Sequence, residues 1–289
     1  MSNLPVKCQQ AFLILRGCTD KMSLFLIAVL ALVQGATEFL PISSSAHLVL
    51  TRWLWLSPST DAAAGLALDV ALHVGTLAAV MLYFRGDVAV LFRGTLRLIK
   101  GHQDGDARLA WLILVATLPA VIAGFMLKTV IETSLRGVEI IAWTTLIFGI
   151  FLWIADRAST NKKISDLDWK KALLVGVAQA FALVPGVSRS GITITAGRWL
   201  GMGREEAARF ALLLSLPTIT GAAVLSAFEL DTEIALDLLQ NAVFGAFIVF
   251  IAAYLAISLM MAWLRKATFM PFVFYRIALG VGLLIAVYY

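Results

Sequence analysis

Charge is scarce in this sequence. Only 14% of its 289 residues are Asp, Glu, Lys or Arg, and 61% are hydrophobic; ordinary soluble domains run at about 25% and roughly 45–50%. That balance excludes a soluble globular domain and reads as an integral membrane protein. Cysteine is almost absent. Cys8 and Cys18 lie near the N-terminus with no metal or redox spacing, so they read as unpaired thiols. Histidine is confined to His47, His73 and His102. The net charge of +5 gathers between apolar runs, which fits membrane topology and not nucleic-acid binding.

Long apolar runs are what the chain does have. A spanning helix needs about 20 mostly apolar residues. Six stretches qualify: roughly 62–84, 109–128, 138–155, 205–228, 238–264 and 268–289. Asp69 and His73 interrupt the first and Arg276 the last. Residues 1–22, with Lys7, Arg16, Asp20 and the apolar "AFLILRG", read as an N-terminal extension, either a leader without function or a short surface helix.

Two further apolar regions break in the middle. Around "VQGATEFLPISSSAHLVL" the pattern is helical to Leu40, breaks over Pro41 to Ser45 and resumes to about Leu56. Around "GVAQAFALVPGVSRSGITITAGRWLG" it runs from Ala172 to Val184, breaks over Pro185 to Gly191 and ends near Gly201. The pieces after each break, and the one before the second, are too short to span, so each region predicts a re-entrant helical hairpin. Irregular backbone at that depth must be covered by protein or line a wet cavity.

The two breaks resemble each other. "QGATEFLPISSS" from Gln34 parallels "QAFALVPGVSRS" from Gln179 with one gap, and a weaker echo joins "TLPAVIAG" to "SLPTITG". Each hairpin is followed by three spans, an odd number, so the copies insert in opposite directions. The fold class expected is therefore all-α: six transmembrane helices plus two re-entrant hairpins in an inverted-topology repeat. Repeat 1 takes residues 23–156 (hairpin 23–57) and repeat 2 residues 172–289 (hairpin 172–201), joined by a basic linker, 157–171.

Loop charge orients this plan. The loop 85–108 carries Arg85, Arg93, Arg97, Lys100 and Arg108; the linker carries Arg157, Lys162, Lys163, Lys170 and Lys171; Arg265 and Lys266 follow the fifth span. These three segments fall on one side, which the excess of Lys and Arg makes cytoplasmic. Glu229, Asp231, Glu233 and Asp237 fall on the other. The first hairpin then enters from outside and the second from the cytoplasm. Lys7, Arg16 and Lys21 run against the outside N-terminus that this topology requires.

Ionisable residues inside a membrane are functional candidates by default. Gln34 and Glu38 share a helix face at i, i+4. Ser43, Ser44, Ser45 and His47 follow on the first break, and Ser188, Arg189, Ser190 and Thr193 hold the corresponding place in the second. Two half-helix N-termini meeting there would offer free N–H groups and positive dipole ends to an anion. Gly186 and Gly191 permit close backbone approach, and the Arg189 guanidinium can fork onto phosphate oxygens. The plainer readings are Ser43 and Ser188 as helix caps, Arg189–Glu38 as a structural bridge, and Arg198, Arg204 and Arg209 as snorkelling interface residues. Asp69 and His73 either support the site or bond neighbouring helices.

"QGATEFLPISSSAH" and "PGVSRSGITIT" resemble the two signature segments of the undecaprenyl-diphosphate phosphatase family, also called the bacitracin-resistance proteins, and the likeness runs from about residue 23 to the C-terminus. The first motif is Glu or Gln, three residues, then Glu; the second is P-G-x-S-R-S followed by a threonine. Gln34 takes the variant place and removes one of two carboxylates. The resemblance implies hydrolysis of undecaprenyl diphosphate to the monophosphate and inorganic phosphate, recycling the lipid carrier of cell-wall synthesis in the bacterial cytoplasmic membrane. It implies a site open to the outer side and a divalent cation, Mg²⁺ or Ca²⁺, with Glu38 and Gln34 as candidate ligands. By position it makes Glu38, Ser44, His47 and Arg189 catalytic; Gln34, Ser43, Ser45, Gly186, Ser188, Ser190 and Thr193 would bind substrate. Partners expected are the polyprenyl diphosphate and the bilayer, with a homodimer left open.

Three other readings compete. Broken helices in inverted repeats also suit a lipid flippase or transporter, and fold alone does not separate it from an enzyme. An acid-phosphatase-like lipid phosphatase needs a histidine six residues after its Ser-Arg arginine, where this chain has Thr195. A purely structural membrane protein leaves the clustered polar groups without a purpose.

Overall fold

The computed structural model describes residues 23–55, 62–135, 137–159, 161–228 and 239–289. The expectations for residues 1–22, for Cys8 and Cys18, and for the acidic stretch 229–237 lie outside them. The described residues are helical, with no β-strand among them. In chain order the helices are α1 (Leu24–Thr37), α2 (Ser44–Trp55), α3 (Ala62–Tyr83), α4 (Arg85–Ile99), α5 (Gly105–Ser134), α6 (Val138–Asp156), α7 (Trp169–Ala180), α8 (Arg189–Trp199), α9 (Arg204–Phe228), α10 (Leu239–Leu264) and α11 (Met270–Tyr288).

Five of them, α5, α6, α9, α10 and α11, are long and apolar enough to cross a membrane. A sixth apolar stretch, α3, passes the same test in company with α4, which turns away from it by 95°. The six expected spans thus correspond to α3, α5, α6, α9, α10 and α11. The segment read as a loop over 85–108 is a correction. Its first fifteen residues form α4, because Phe92, Leu96 and Ile99 recur at helical spacing beside Arg93, Arg97 and Lys100. Asp104 then caps α5, accepting from the Ala107 amide at 3.0 Å. That amide, followed by Arg97, holds the Asp104 carboxyl below its ordinary range.

Both broken regions are helix–break–helix. The first turns over Glu38 to Ile42 between α1 and α2. The second passes through a short 3₁₀ turn, Phe181–Leu183, before α8. Each hairpin's first arm lies against a long helix from the other half of the chain: α1 along α10, and α7 along α5. Close approach explains the small residues there. A Cβ on Gly35 would sit 2.6 Å from the Ala252 Cβ, and one on Gly176 2.5 Å from the Ala116 carbonyl oxygen. The echo between "TLPAVIAG" and "SLPTITG" is a correction too. It falls on α5, the second span after its hairpin, and on α9, the first span after the other, so it marks no common register.

The ends of α6, α8, α9 and α11 meet at Asp156, which is buried. Its carboxylate accepts from Arg204 Nε at 2.6 Å and from the Phe269 amide at 3.0 Å. Arg198 does not snorkel. It is only 1% exposed and donates to the carbonyls of Asp156, Ala158 and Met202. Arg209 is half-exposed and pairs with Asp87 of α4.

Candidate active site between two hairpin tips

The two breaks interlock. The Gly186 amide donates to Ser43 Oγ at 3.2 Å, and Ser190 Oγ donates to the Leu40 carbonyl at 2.9 Å. Ser43 and Ser188, one residue before α2 and α8, both hold positive φ, 74° and 71°. Left-handed backbone at a non-glycine residue costs on the order of 1–3 kcal/mol and gathers at functional sites. These serines stand at the starts of both short helices, where the Gly191 amide is taken by Ser188 Oγ, while the amides of Ser44, Ser45, Arg189 and Ser190 have no intrahelical acceptor. Gly186 has φ +93°, and a Cβ there would lie 2.1 Å from Thr144 Oγ1.

Glu38 is the hub. It is buried, and its Oε2 accepts from Gln34 Nε2 at 2.8 Å and from Ser44 Oγ at 2.6 Å. Its Oε1 accepts from Arg189 NH2 at 2.6 Å, across 151 residues of sequence. Arg189 NH1 donates to Thr218 Oγ1 on α9 at 3.1 Å. The guanidinium is therefore held by two anchors, with further N–H donors in its fork.

His47 lies one turn after Ser44 on α2. Its Nδ1 is 2.6 Å from the Ser43 carbonyl oxygen, and its Nε2 is 2.5 Å from the Tyr275 hydroxyl of α11. A carbonyl only accepts, so Nδ1 carries a proton and Nε2 is the free position of the neutral ring. The two rings also stack, centroids 5.6 Å apart. Tyr275 is exposed, so this is the open edge of the site.

The remaining candidates divide. Ser45 is exposed, 3.2 Å from Ser43 Oγ. Ser188 does cap α8, accepting from the Gly191 amide at 3.1 Å. Ser43 bonds across to the other hairpin instead of capping. Thr193 is buried one turn into α8, with its hydroxyl on the Arg189 carbonyl at 2.8 Å. Asp69 pairs with Arg52 of α2, and His73 Nδ1 meets the Asp69 carbonyl oxygen at 2.7 Å; neither joins the Glu38 group.

A profile described as bacitracin resistance protein BacA matches residues 27–282. The chain belongs to this family. It is similar to the undecaprenyl-diphosphatase of Alteromonas mediterranea, 46% identical over 268 residues, covering 91% of this chain and 98% of that protein. The undecaprenyl-diphosphatase of Hahella chejuensis is 47% identical over 265 residues, 91% of this chain and 97% of the relative. Undecaprenyl-diphosphatase 1 of Rhodospirillum rubrum is 47% identical over 271 residues, 92% and 96%.

Two residues of this BacA-family site escape the sequence motifs. One is Tyr275. The other is Arg276, read from the sequence only as a charge inside the last span. Arg276 is fully buried. Its guanidinium donates to the carbonyls of Pro41 (3.1 Å), Gly186 (2.8 Å), Val187 (3.1 Å) and Thr145 (3.2 Å). One side chain thereby ties both breaks to α6 and α11. Leaving a buried acceptor unpaired costs about 1–3 kcal/mol, so Arg276→Leu is expected to lose on the order of 3–5 kcal/mol. Thermal unfolding in detergent checks this, and an unchanged midpoint contradicts it.

Tyr275→Phe keeps the stack and removes the hydroxyl. It should lower kcat about tenfold and reshape the pH–rate profile while KM stays near the wild-type value. An identical profile would show that the His47–Tyr275 bond is only structural.

Proposed function

We propose that this protein hydrolyses undecaprenyl diphosphate to undecaprenyl phosphate and inorganic phosphate, the activity named for its close relatives. The observation that carries the reading is that Glu38 meets Arg189 and Ser44, the first residues of α8 and α2, each at 2.6 Å, so the N-termini of both half-helices lie beside one carboxylate. A cation fork and two dipole ends converge on one spot, as a diphosphate requires. The flippase alternative gains no support from the relatives, whose names describe hydrolysis.

Phosphoryl transfer asks for positioning and charge stabilisation. Arg189 and the first-turn amides of α2 and α8 bind the equatorial oxygens of the terminal phosphoryl group. Ser44 Oγ is the nucleophile in this scheme. It attacks the terminal phosphorus, its proton passes to Glu38 Oε2 at 2.6 Å, and the bridging P–O bond breaks to release undecaprenyl phosphate. Glu38 gives that proton up to the departing undecaprenyl phosphate; water then attacks the phosphoserine, passing a proton to the freed Glu38 carboxylate, and the P–Oγ bond breaks as Glu38 returns the proton to Ser44 Oγ and orthophosphate leaves. His47 Nε2, held by Tyr275, supplies or removes a proton at the open edge. Phosphate label trapped on Ser44 supports this order; wild-type-like turnover by Ser44→Ala overturns it.

Among the described residues no three His, Cys, Asp or Glu side chains gather, so no all-protein metal cage exists there. Gln34 Oε1, however, is buried without a hydrogen-bond partner beside Glu38. Gln34 Oε1, with a Glu38 oxygen released from one of its donors, would offer Mg²⁺ or Ca²⁺ two protein oxygens, phosphate oxygens and water completing the shell. Such an ion, held by Gln34 and Glu38, would neutralise diphosphate charge.

The finer topology belongs to the same proposal: an inverted repeat in the bacterial inner membrane, site open to the outer side, basic segments cytoplasmic. The exchanged packing of α1 on α10 and α7 on α5 supports the repeat, and the Lys and Arg excess supports the orientation. The deciding experiment is orthophosphate release from polyprenyl diphosphate by the pure protein in detergent, with and without chelator. Chelator-sensitive release is expected; no release in the presence of Mg²⁺ or Ca²⁺ would sink the enzyme reading.

A further inference from the structure

At the end of the molecule away from the hairpin tips, α4 leaves α3 at 95°. A helix perpendicular to a span lies in the membrane plane. Its exposed apolar stripe is Phe92, Leu96 and Ile99, at i, i+4, i+7, and beside it runs an exposed stripe of Arg93, Arg97 and Lys100, in which Arg93 pairs with Asp106 and Arg97 with Asp104. The inner face packs on α5, where Gly94 lies against the Asp106 carbonyl. An apolar stripe flanked by cations is the pattern of a helix seated among headgroups.

Beside α4 lies a cavity of about 400 Å³ formed by the start of α5, the linker and the start of α9. Arg108, Lys163 and Arg209 line it, with Glu206 as its one carboxylate. Glu206 is already committed, accepting from the Ile164 amide at 2.9 Å and facing Arg209 at 3.4 Å. Arg209 is further neutralised by Asp87 of α4, which joins the cavity to that helix. Among the described residues, no carboxylate pairs with Arg108 or Lys163. Arg108 uses one donor on the Leu167 carbonyl at 2.8 Å. A polar recess beside an interfacial helix therefore holds two uncompensated cations.

We infer that α4 and this cavity form a seat for an anionic phospholipid. The headgroup phosphate is bound by Arg108 and Lys163, and Phe92, Leu96 and Ile99 enter the acyl region nearby. Charge complementarity selects this occupant: basic pockets between helices at a membrane surface take anionic headgroups. In the orientation proposed above, on which this placement rests, the lipid belongs to the cytoplasmic leaflet. The seat braces α4 and α5, and α5 in turn supports α7, the first arm of the second hairpin.

The test reads lipid binding and not phosphatase activity, so its failure and that of the catalytic reading are separable. The full-length protein is placed in nanodiscs of phosphatidylcholine alone or with about one third phosphatidylglycerol, an anionic lipid, and retained lipid is counted by native mass spectrometry. Preferential retention of phosphatidylglycerol is expected. Lys163→Gln should weaken it on the order of fivefold, and adding Arg108→Gln should weaken it further by a similar factor. Lys163 makes no fold-bearing side-chain bond to a carboxylate, so the single variant keeps the test valid if the double variant unfolds. Equal retention of both lipids, or undiminished phosphatidylglycerol in Lys163→Gln, overturns the proposal. Inorganic phosphate displacing the lipid completely at millimolar concentration would show a free-anion site and overturn the lipid assignment.

Discussion

Arg189→Ala should reduce phosphate release by about 10³-fold or more, the scale set by arginines that stabilise phosphoryl-transfer transition states. The reason is local. Among the described residues, Arg189 is the cation that reaches the Glu38 carboxylate, and Thr218 fixes its other nitrogen at 3.1 Å. Alanine removes the fork while leaving the Gly186–Ser43 and Ser190–Leu40 bonds between the tips intact. The protein should therefore purify folded. Steady-state kinetics with a thermal unfolding control check both halves of the statement. Arg189→Lys should recover only part of the rate, because an ammonium cannot fork across two oxygens.

Glu38→Gln carries the second large effect. The carboxylate receives three side chains, Gln34, Ser44 and Arg189. An amide leaves the half-buried guanidinium without its counter-charge, a loss of about 3–5 kcal/mol when a buried pair is broken from one side. It also removes the acceptor for the Ser44 proton, which general-base catalysis puts at about 10²–10⁴-fold in rate. Because Glu38 and Arg189 act as one unit, the double variant should be barely slower than the worse single variant. Fully additive losses would mean that the two residues work independently, contrary to the geometry.

Much of this could be read in the linear sequence, for identifiable reasons. Spans announce themselves by apolar length, and hairpins by a proline and serine cluster too close to the run's middle. Glu38, Ser44, His47 and Arg189 stood out because a charge or polar cluster in an apolar setting has few innocent explanations. The misses have equally physical causes. α4 was hidden because cations at i, i+4 and i+7 resemble a basic loop until the apolar stripe Phe92, Leu96 and Ile99 is aligned beside them. Arg198 looked like an interface residue, but the carbonyls that bury it come from the ends of distant helices.

Arg276 shows the limit most clearly. Its partners are backbone carbonyls of Pro41, Thr145, Gly186 and Val187. Every residue has such a carbonyl, so no side-chain motif records the contact. Tyr275 was equally silent, since a tyrosine in a last span is ordinary until His47, 228 positions away in sequence, is found against its hydroxyl. The two positive-φ serines also carry no residue-level mark, because serine is common in turns for other reasons.

The central claim is that one diphosphate sits between the two hairpin tips and touches both. A structure of the protein with a polyprenyl methylene-diphosphonate, whose P–C–P bridge resists hydrolysis, tests it directly. The account predicts the terminal phosphonate within hydrogen-bond distance of Arg189 from one tip and of Ser44 from the other, with the lipid leaving past His47 and Tyr275. A diphosphonate bound elsewhere, or held by one tip alone, would contradict it.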